Sequence, residues 1–259
     1  MAEPETDISL RAAQVATDVT EAEQPQERRR LASSFAKAVS SGARAAGRGT
    51  RVVRSGTGTG RSAVRRGANA STGYLVAQVI TMAPRLRVRN QAALQARFPG
   101  KAPDEIAGAL IDGAAHASAA VGGAGGVVSV LPVLPAFPAE VVAETLVVVG
   151  IEIKLVAELH EAYGMPAPGN LPERMSAYMA AWTHRRGVFM IPGGVVLATG
   201  SPLAQQLRRR LAARAGRSAF SLAPLLTGAA AGAYLNSRET RRLGQDVRRD
   251  LRRRALPGS

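Results

Sequence analysis

Two carboxylates in an apolar neighbourhood are the strongest candidates for chemistry in this chain. Glu140 and Glu144 stand one turn apart within residues 139–163, a stretch whose pattern predicts a long helix, so they share a face. Two half-buried like charges raise the pKa of at least one partner, which is the tuning that general acids and carboxylate metal sites use. The competing reading leaves Glu140 as the acidic complement of a helix start, with Glu144 facing water or an arginine. His160-Glu161, near the end of the same helix, lacks the second histidine that a zinc-protease helix places one turn on. His116 sits among alanines and His184 beside two arginines, each without a second candidate ligand close in sequence. No metal and no cofactor are therefore predicted. Gly122, Gly123, Gly125 and Gly126 do not give G-x-G-x-x-G, and they follow a helical pattern where a nucleotide site needs a strand. No Walker lysine follows a glycine loop, and no G-x-S-x-G elbow occurs. The absence of cysteine excludes a thiol nucleophile, a disulfide framework and a zinc–thiolate site.

The elements that position these residues are built from small side chains. Residues 117–126 (ASAAVGGAGG) enter a proline-marked apolar turn, 127–138 (VVSVLPVLPAFP), from which the 139–163 helix emerges until Gly164 stops it. Glycine at this density in an apolar passage lets backbones approach closely, so the passage predicts a glycine-rich bend in a buried or re-entrant helical hairpin. Its glycines and prolines argue against one straight membrane-spanning helix. Upstream, residues 74–82 predict a short helix, and Pro84 a second one running to about Arg97. Pro103-Asp104-Glu105 and Pro172-Glu173 read as helix starts. Ile106, Leu110 and Ile111, and later Met175, Tyr178, Met179 and Trp182, form packing stripes at helical spacing. The 139–163 helix is predicted to be the longest. Residues 187–207 and 218–237 are uncharged but broken by Pro and Gly and only weakly hydrophobic, which favours packed helices over membrane insertion. With aromatic content at 4%, the core must rest on Ala, Val, Leu and Gly, so the predicted fold is all-α.

Charge divides the chain into blocks. Residues 1–27 are acidic, whereas 28–103 contain no acidic residue while arginines recur through Gly, Ser and Ala. Such composition buries too little apolar area to offset chain entropy, so residues 1–72 are predicted to be a disordered arm, acidic and then Arg-rich. A helical domain over 73–237 and a basic C-terminal helix and tail over 238–259 complete the predicted organisation. A net charge of +15 attracts polyanions, although an arginine excess with only Lys37, Lys101 and Lys154 as lysines is also what a GC-rich coding bias produces. Arg241, Arg242, Arg248, Arg249 and Arg252 are the predicted contacts with an anionic membrane surface or membrane complex. Nucleic acid ranks second because stacking aromatics are nearly absent from the arginine clusters. The opening MAEPETDISL is acidic and has no hydrophobic segment of a secretory signal, which points to a cytoplasmic, peripheral location.

The glycine-rich apolar run, the turn ending Pro138-Ala139-Glu140 and the helix closing on Ala162-Tyr163-Gly164 together resemble the bacterial EcsC family. Residues 228–236 (GAAAGAYLN), followed by Thr240, Gly244 and an arginine-rich end, are similar to that family's closing motif, with Asn236 as its last residue. The resemblance covers roughly residues 84–254, and this chain carries Glu140 where the family favours aspartate. It implies a helical, membrane-associated protein that acts as a non-catalytic scaffold or accessory factor. An enzyme or metal protein centred on the long-helix carboxylates, and a basic nucleic-acid-binding protein, are the alternatives.

Overall fold

The helix that carries the two carboxylates is the centre of the protein. The computed structural model describes residues 4–47, 77–128, 139–191, 194–197 and 225–255. Its helices are α1 (Pro4–Glu21), α2 (Pro25–Gly47), α3 (residues 77–82), α4 (Gln91–Arg97), α5 (Pro103–Val128), α6 (Ala139–Ala162), α7 (Leu171–Arg186) and α8 (Leu225–Ala255). A two-stranded antiparallel hairpin follows α7, with β1 (Val188–Ile191) paired to β2 (Gly194–Leu197) so that Val188 faces Leu197 and Ile191 faces Gly194. The architecture is all-α with this one short hairpin among the described residues.

Residues 145–159 of α6 are all buried, because α1, α2, α4, α5, α7 and α8 pack around it. A helix that is apolar on every side has to be a central one. Local signals set its ends and those of its neighbours. Gly164 adopts φ +67° just past α6, a conformation that L side chains rarely take. Pro103 opens α5 with Asp104 and Glu105 in the first turn, and Glu105 reaches back to accept from the Ala102 amide at 2.9 Å. Asn170 caps α7 in a reciprocal capping box with Glu173.

Four expectations are corrected by these elements. Residues 4–47, expected as a disordered arm, are two helices that contribute to the common core. Ser9, Ala12, Ala13, Ala16 and Val19 of α1 recur at helical spacing and are buried, while Ala32 and Phe35 of α2 join the same cluster. The acidic and basic side chains that dominated the composition lie mostly on the outer faces; residues 48–72 of the expected arm lie outside the described residues. Pro84 does not open a long helix. It sits in the 3-10 turn Ala83–Arg85 at the end of α3, and α4 starts later, where the Asn90 side chain accepts from the Ala93 amide. The longest helix is α8 with 31 residues, against 24 in α6. It runs unbroken through the expected boundary between 237 and 238, and its buried residues Leu243, Val247 and Leu251 belong to the same core as the rest.

The glycines also act differently from the bend that was expected. Residues 117–126 continue α5 as far as Val128, and the proline-marked turn, Pro138 included, lies outside the described residues. Gly122 is where α5 meets α8. A Cβ built there would stand 2.5 Å from the Gly232 carbonyl oxygen, and one built on Gly232 would stand 2.7 Å from that of Gly122. Gly244, three turns further along α8, leaves room for the side chains of Ile111 and Leu155. The α5–α8 contact is the most extensive in the protein, and it depends on backbones that touch without intervening side chains.

Candidate functional site

A central helix with charged residues must pair them, because an unpaired buried charge costs several kcal/mol. Four charged residues of α6, namely Glu152, Lys154, Glu158 and Glu161, are buried, and each has a partner of opposite charge.

Glu152 has partners on two other helices. Its Oε2 accepts from Arg186 Nε at 3.0 Å and from Trp182 Nε1 at 2.9 Å, both on α7, while Arg186 Nη2 binds Oε1. Thr240 Oγ1, on α8, lies 3.3 Å from the same Oε1 and 2.9 Å from Ser118 Oγ on α5. A hydroxyl has one proton, so the consistent chain is Ser118 donating to Thr240 and Thr240 donating to Glu152. Asn236 Nδ2 donates to the Ser118 carbonyl at 3.2 Å and lies 3.5 Å from Glu144 Oε1. Arg186 spends its remaining donors on Glu239, 3.4 Å from both its Oε2 and its carbonyl. One continuous polar string therefore ties α5, α6, α7 and α8 together inside the core.

A second cluster lies further along α6. Lys154 Nζ donates to Glu158 Oε1 at 2.7 Å, to the Arg87 carbonyl, and toward Glu21 Oε1 at 3.5 Å. Arg89 clamps Glu158 with its amide, Nε and Nη2, at 3.2, 2.8 and 2.7 Å. Burial alone would raise the Glu158 carboxyl, but the hydrogen bonds from Arg89 and the charge of Lys154 outweigh it and hold the pKa below the ordinary value. Glu161 is paired with Arg174 of α7.

The helix ends are fastened at the surface. Asp104, at the start of α5, accepts from Arg248 Nε of α8 at 2.8 Å and from the Tyr163 hydroxyl at 2.6 Å. These bonds, Arg248 first, hold the Asp104 carboxyl far below the usual carboxylate range. Burial and the bond to Asp104 push the Tyr163 phenol up to about 12. Burial lowers the pKa of His160, which its hydrogen bond to the Val156 carbonyl opposes and the nearby Arg254 and Arg185 reinforce.

The candidate residues do not gather at one place. Gly122, Asn236, Thr240 and Gly244 converge where α5, α6 and α8 meet, whereas Tyr163 and Gly164 close the far end of α6. Gly123, Gly125 and Gly126 lie in the later turns of α5. Glu144 is half-buried beside Asn236; Glu140 is in the first turn of α6, and its side chain lies outside the described residues. His160 packs its ring 5.3 Å from that of Tyr178, far along the helix from Glu144, while His116 and His184 are exposed. No group of three or more His, Asp or Glu able to hold a metal ion occurs among the described residues.

The buried carboxylates that matter were visible in the sequence only as members of the 139–163 helix. Their partners, Arg89, Arg174 and Arg186, lie 69, 13 and 34 residues away, and no spacing rule would have linked them.

The arginines of α8 divide by face. Arg248 pairs with Asp104, Arg241 with Asp112 and Arg249 with Asp246. Arg242 and Arg252 are exposed and make no ion pair with the described residues. The described residues thus define an all-α protein whose central helix is fixed by buried ion pairs and whose last helix is cationic on its outer side. No family model, curated protein or solved structure matches the chain. No described helix is long and apolar enough to cross a membrane.

Proposed function

We propose that the protein is an EcsC-like, non-catalytic scaffold or accessory factor held peripherally on the anionic, cytoplasmic face of a membrane. The observation that carries this reading is the outward face of α8, where Arg238, Arg242, Arg249, Arg252 and Arg253 are all exposed and fall on one side of the helix. The opposite face, with Asn236, Thr240, Leu243, Val247 and Leu251, is buried. A cationic stripe on a helix whose other side is anchored in a core is a fixed electrostatic surface. Each cation near an anionic leaflet contributes about 1 kcal/mol, so several acting together suffice for reversible attachment.

A further observation supports the reading. The carboxylates that burial would make reactive are instead engaged by arginine and lysine, which is the arrangement of a framework. Of the residues that carry the resemblance to the EcsC family, Gly122, Asn236, Thr240 and Gly244 lie along the α5–α8 contact, whereas Tyr163 and Gly164 lie at the far end of α6. The test is cosedimentation of the purified protein with neutral and with phosphatidylglycerol-containing vesicles over a salt series. Binding to the anionic vesicles alone, falling steeply with salt, is expected. Recovery unchanged by salt, or no recovery at all, would overturn the proposal.

A further inference from the structure

The hairpin that follows α7 departs from the usual pattern of an antiparallel pair. Where one face of such a pair meets water, apolar and polar residues alternate along each strand. Here the register places Val188, Met190, Val195 and Leu197 on one face and Phe189, Ile191 and Val196 on the other, so both faces are apolar. A two-stranded ribbon of this length is marginal in water by itself. Among the described elements, α7 is the one helix with more than a slight approach to either strand.

The root of the hairpin is firmly held and lies among cations. Gly187, at φ +63°, ends α7 and turns the chain into β1. The two residues before it are tied to α8, Arg186 to Glu239 and Arg185 to Asp250. Those two acids stand about three turns apart and so share one edge of the helix. Arg242 and Arg253 each follow one of them by three residues, next to that edge, and both are exposed. The apolar strands thus begin beside a row of arginines.

Building on the peripheral membrane reading, we propose that the β1–β2 hairpin is a wedge that enters an anionic leaflet, with the arginines of α8 on the headgroups beside it. Strands of four residues rise about 13 Å, short of the midplane of a hydrocarbon core about 30 Å thick, so the hairpin enters one leaflet without spanning the bilayer. Among the described residues the two strands pair only with each other, which leaves amides and carbonyls along both outer edges. Such groups are costly in hydrocarbon and keep the wedge at the boundary between headgroups and acyl chains. Charge argues for lipid as the occupant. A second copy of the chain would bring a second row of arginines and a net charge of +15 against the first, whereas an anionic lipid surface offers acyl chains to the strands and phosphates to the arginines at once.

Fluorescence and binding of the full chain test the wedge. The chain has no cysteine, so M190C and V196C each place one environment-sensitive fluorophore on a different face of the hairpin, and A93C on α4 serves as an exposed reference. With phosphatidylglycerol-containing vesicles, a blue shift and quenching by lipids carrying acyl-chain quenchers are expected at 190, at 196 or at both, and not at 93. No response at either hairpin position in the bound protein, labels at both positions already shielded before vesicles are added, or a shift that follows protein concentration without lipid would overturn the wedge. The variant M190N/V196N is expected to bind the same vesicles about tenfold or more weakly at fixed salt, with its salt dependence, helix content and urea midpoint retained. A lowered midpoint with binding intact would mean strands packed in the protein's own core, and an unchanged affinity would likewise sink this inference while leaving peripheral attachment in place. A wild type that ignores vesicles would sink both.

Discussion

Replacing Glu152 by glutamine keeps the volume and removes the charge at the centre of the buried polar string. Glu152 accepts from Arg186 through both its oxygens, from Trp182, and from Thr240. A carboxamide has one accepting oxygen, so its NH2 must face either Arg186 Nη2, with the Thr240 hydroxyl turned to accept, or Arg186 Nε and Trp182, donor against donor in each case for the arginine. At least one charge-assisted bond is lost, and the buried Arg186 guanidinium is left with Glu239 as its one charged partner. Breaking a buried pair from one side costs about 3–5 kcal/mol, against a total stability of about 5–15 kcal/mol for a folded domain. At a urea dependence of about 2–3 kcal/mol/M, the unfolding midpoint of E152Q should fall by roughly 1–2 M. R186M should cost a similar amount. The double variant E152Q/R186M should be more stable than the sum of the two single losses predicts, because neither charge is then stranded, and the coupling energy should exceed about 2 kcal/mol. Urea unfolding of the four proteins followed by far-UV circular dichroism completes the cycle. A cost below about 1 kcal/mol for E152Q, or single effects that simply add, would refute the claim that this pair is a mutually dependent unit.

Other expectations concern the helix contact and acid stability. G122A should lower the melting temperature, since the new methyl would stand 2.5 Å from the Gly232 oxygen and force two backbones apart, a strain of about 1–3 kcal/mol that exceeds the gain in helix propensity. G113A, on the same helix with nothing within 4 Å of the added carbon, should raise it slightly, and differential scanning calorimetry separates the two outcomes. The Glu158 carboxyl has its folded pKa depressed, so its contribution is fully present above the ordinary glutamate value of about 4.5 and is lost as pH falls through the lower folded value. Wild-type stability should therefore decline below about pH 4.5. E158Q should start lower at neutral pH and decline less steeply, and urea midpoints measured between pH 3 and 7 would show whether the two curves converge.

Much of the helical frame was legible because its signals are local. Pro103-Asp104-Glu105, Pro172-Glu173 and Gly164 each act within a turn of where they stand, and each begins or ends a helix in the structure. The N-terminal helices were missed because composition averages over a helix, whereas burial selects one face. Ala12, Ala13, Ala16 and Val19 are too small to register as a hydrophobic run, yet against Gly150 of α6 small is what fits: a Cβ on Gly150 would stand 2.9 Å from that of Ala16. Pro84 misled for a related reason, since proline suits the first turn of a 3-10 helix as well as an α-helix, and Asn90 carried the real start. Glu140 and Glu144 stand out in the sequence because it shows neighbours along a helix but not across one. What gives Glu152, Glu158 and Glu161 their significance is the arginine each one meets after folding.

The join between α5 and α8 also has a consequence in time. Asp104 must find Arg248, and Ser118 must find Thr240, across 144 and 122 residues of chain. A ribosome adds about 5–20 residues per second, so the side of α5 that α8 will cover emerges roughly ten seconds before its partner is synthesised. During that interval Ile111, Ser118 and the bare backbone at Gly122 have no cover from α8. The newborn chain is most vulnerable to wrong association then, and loss of α8 would prolong that state indefinitely.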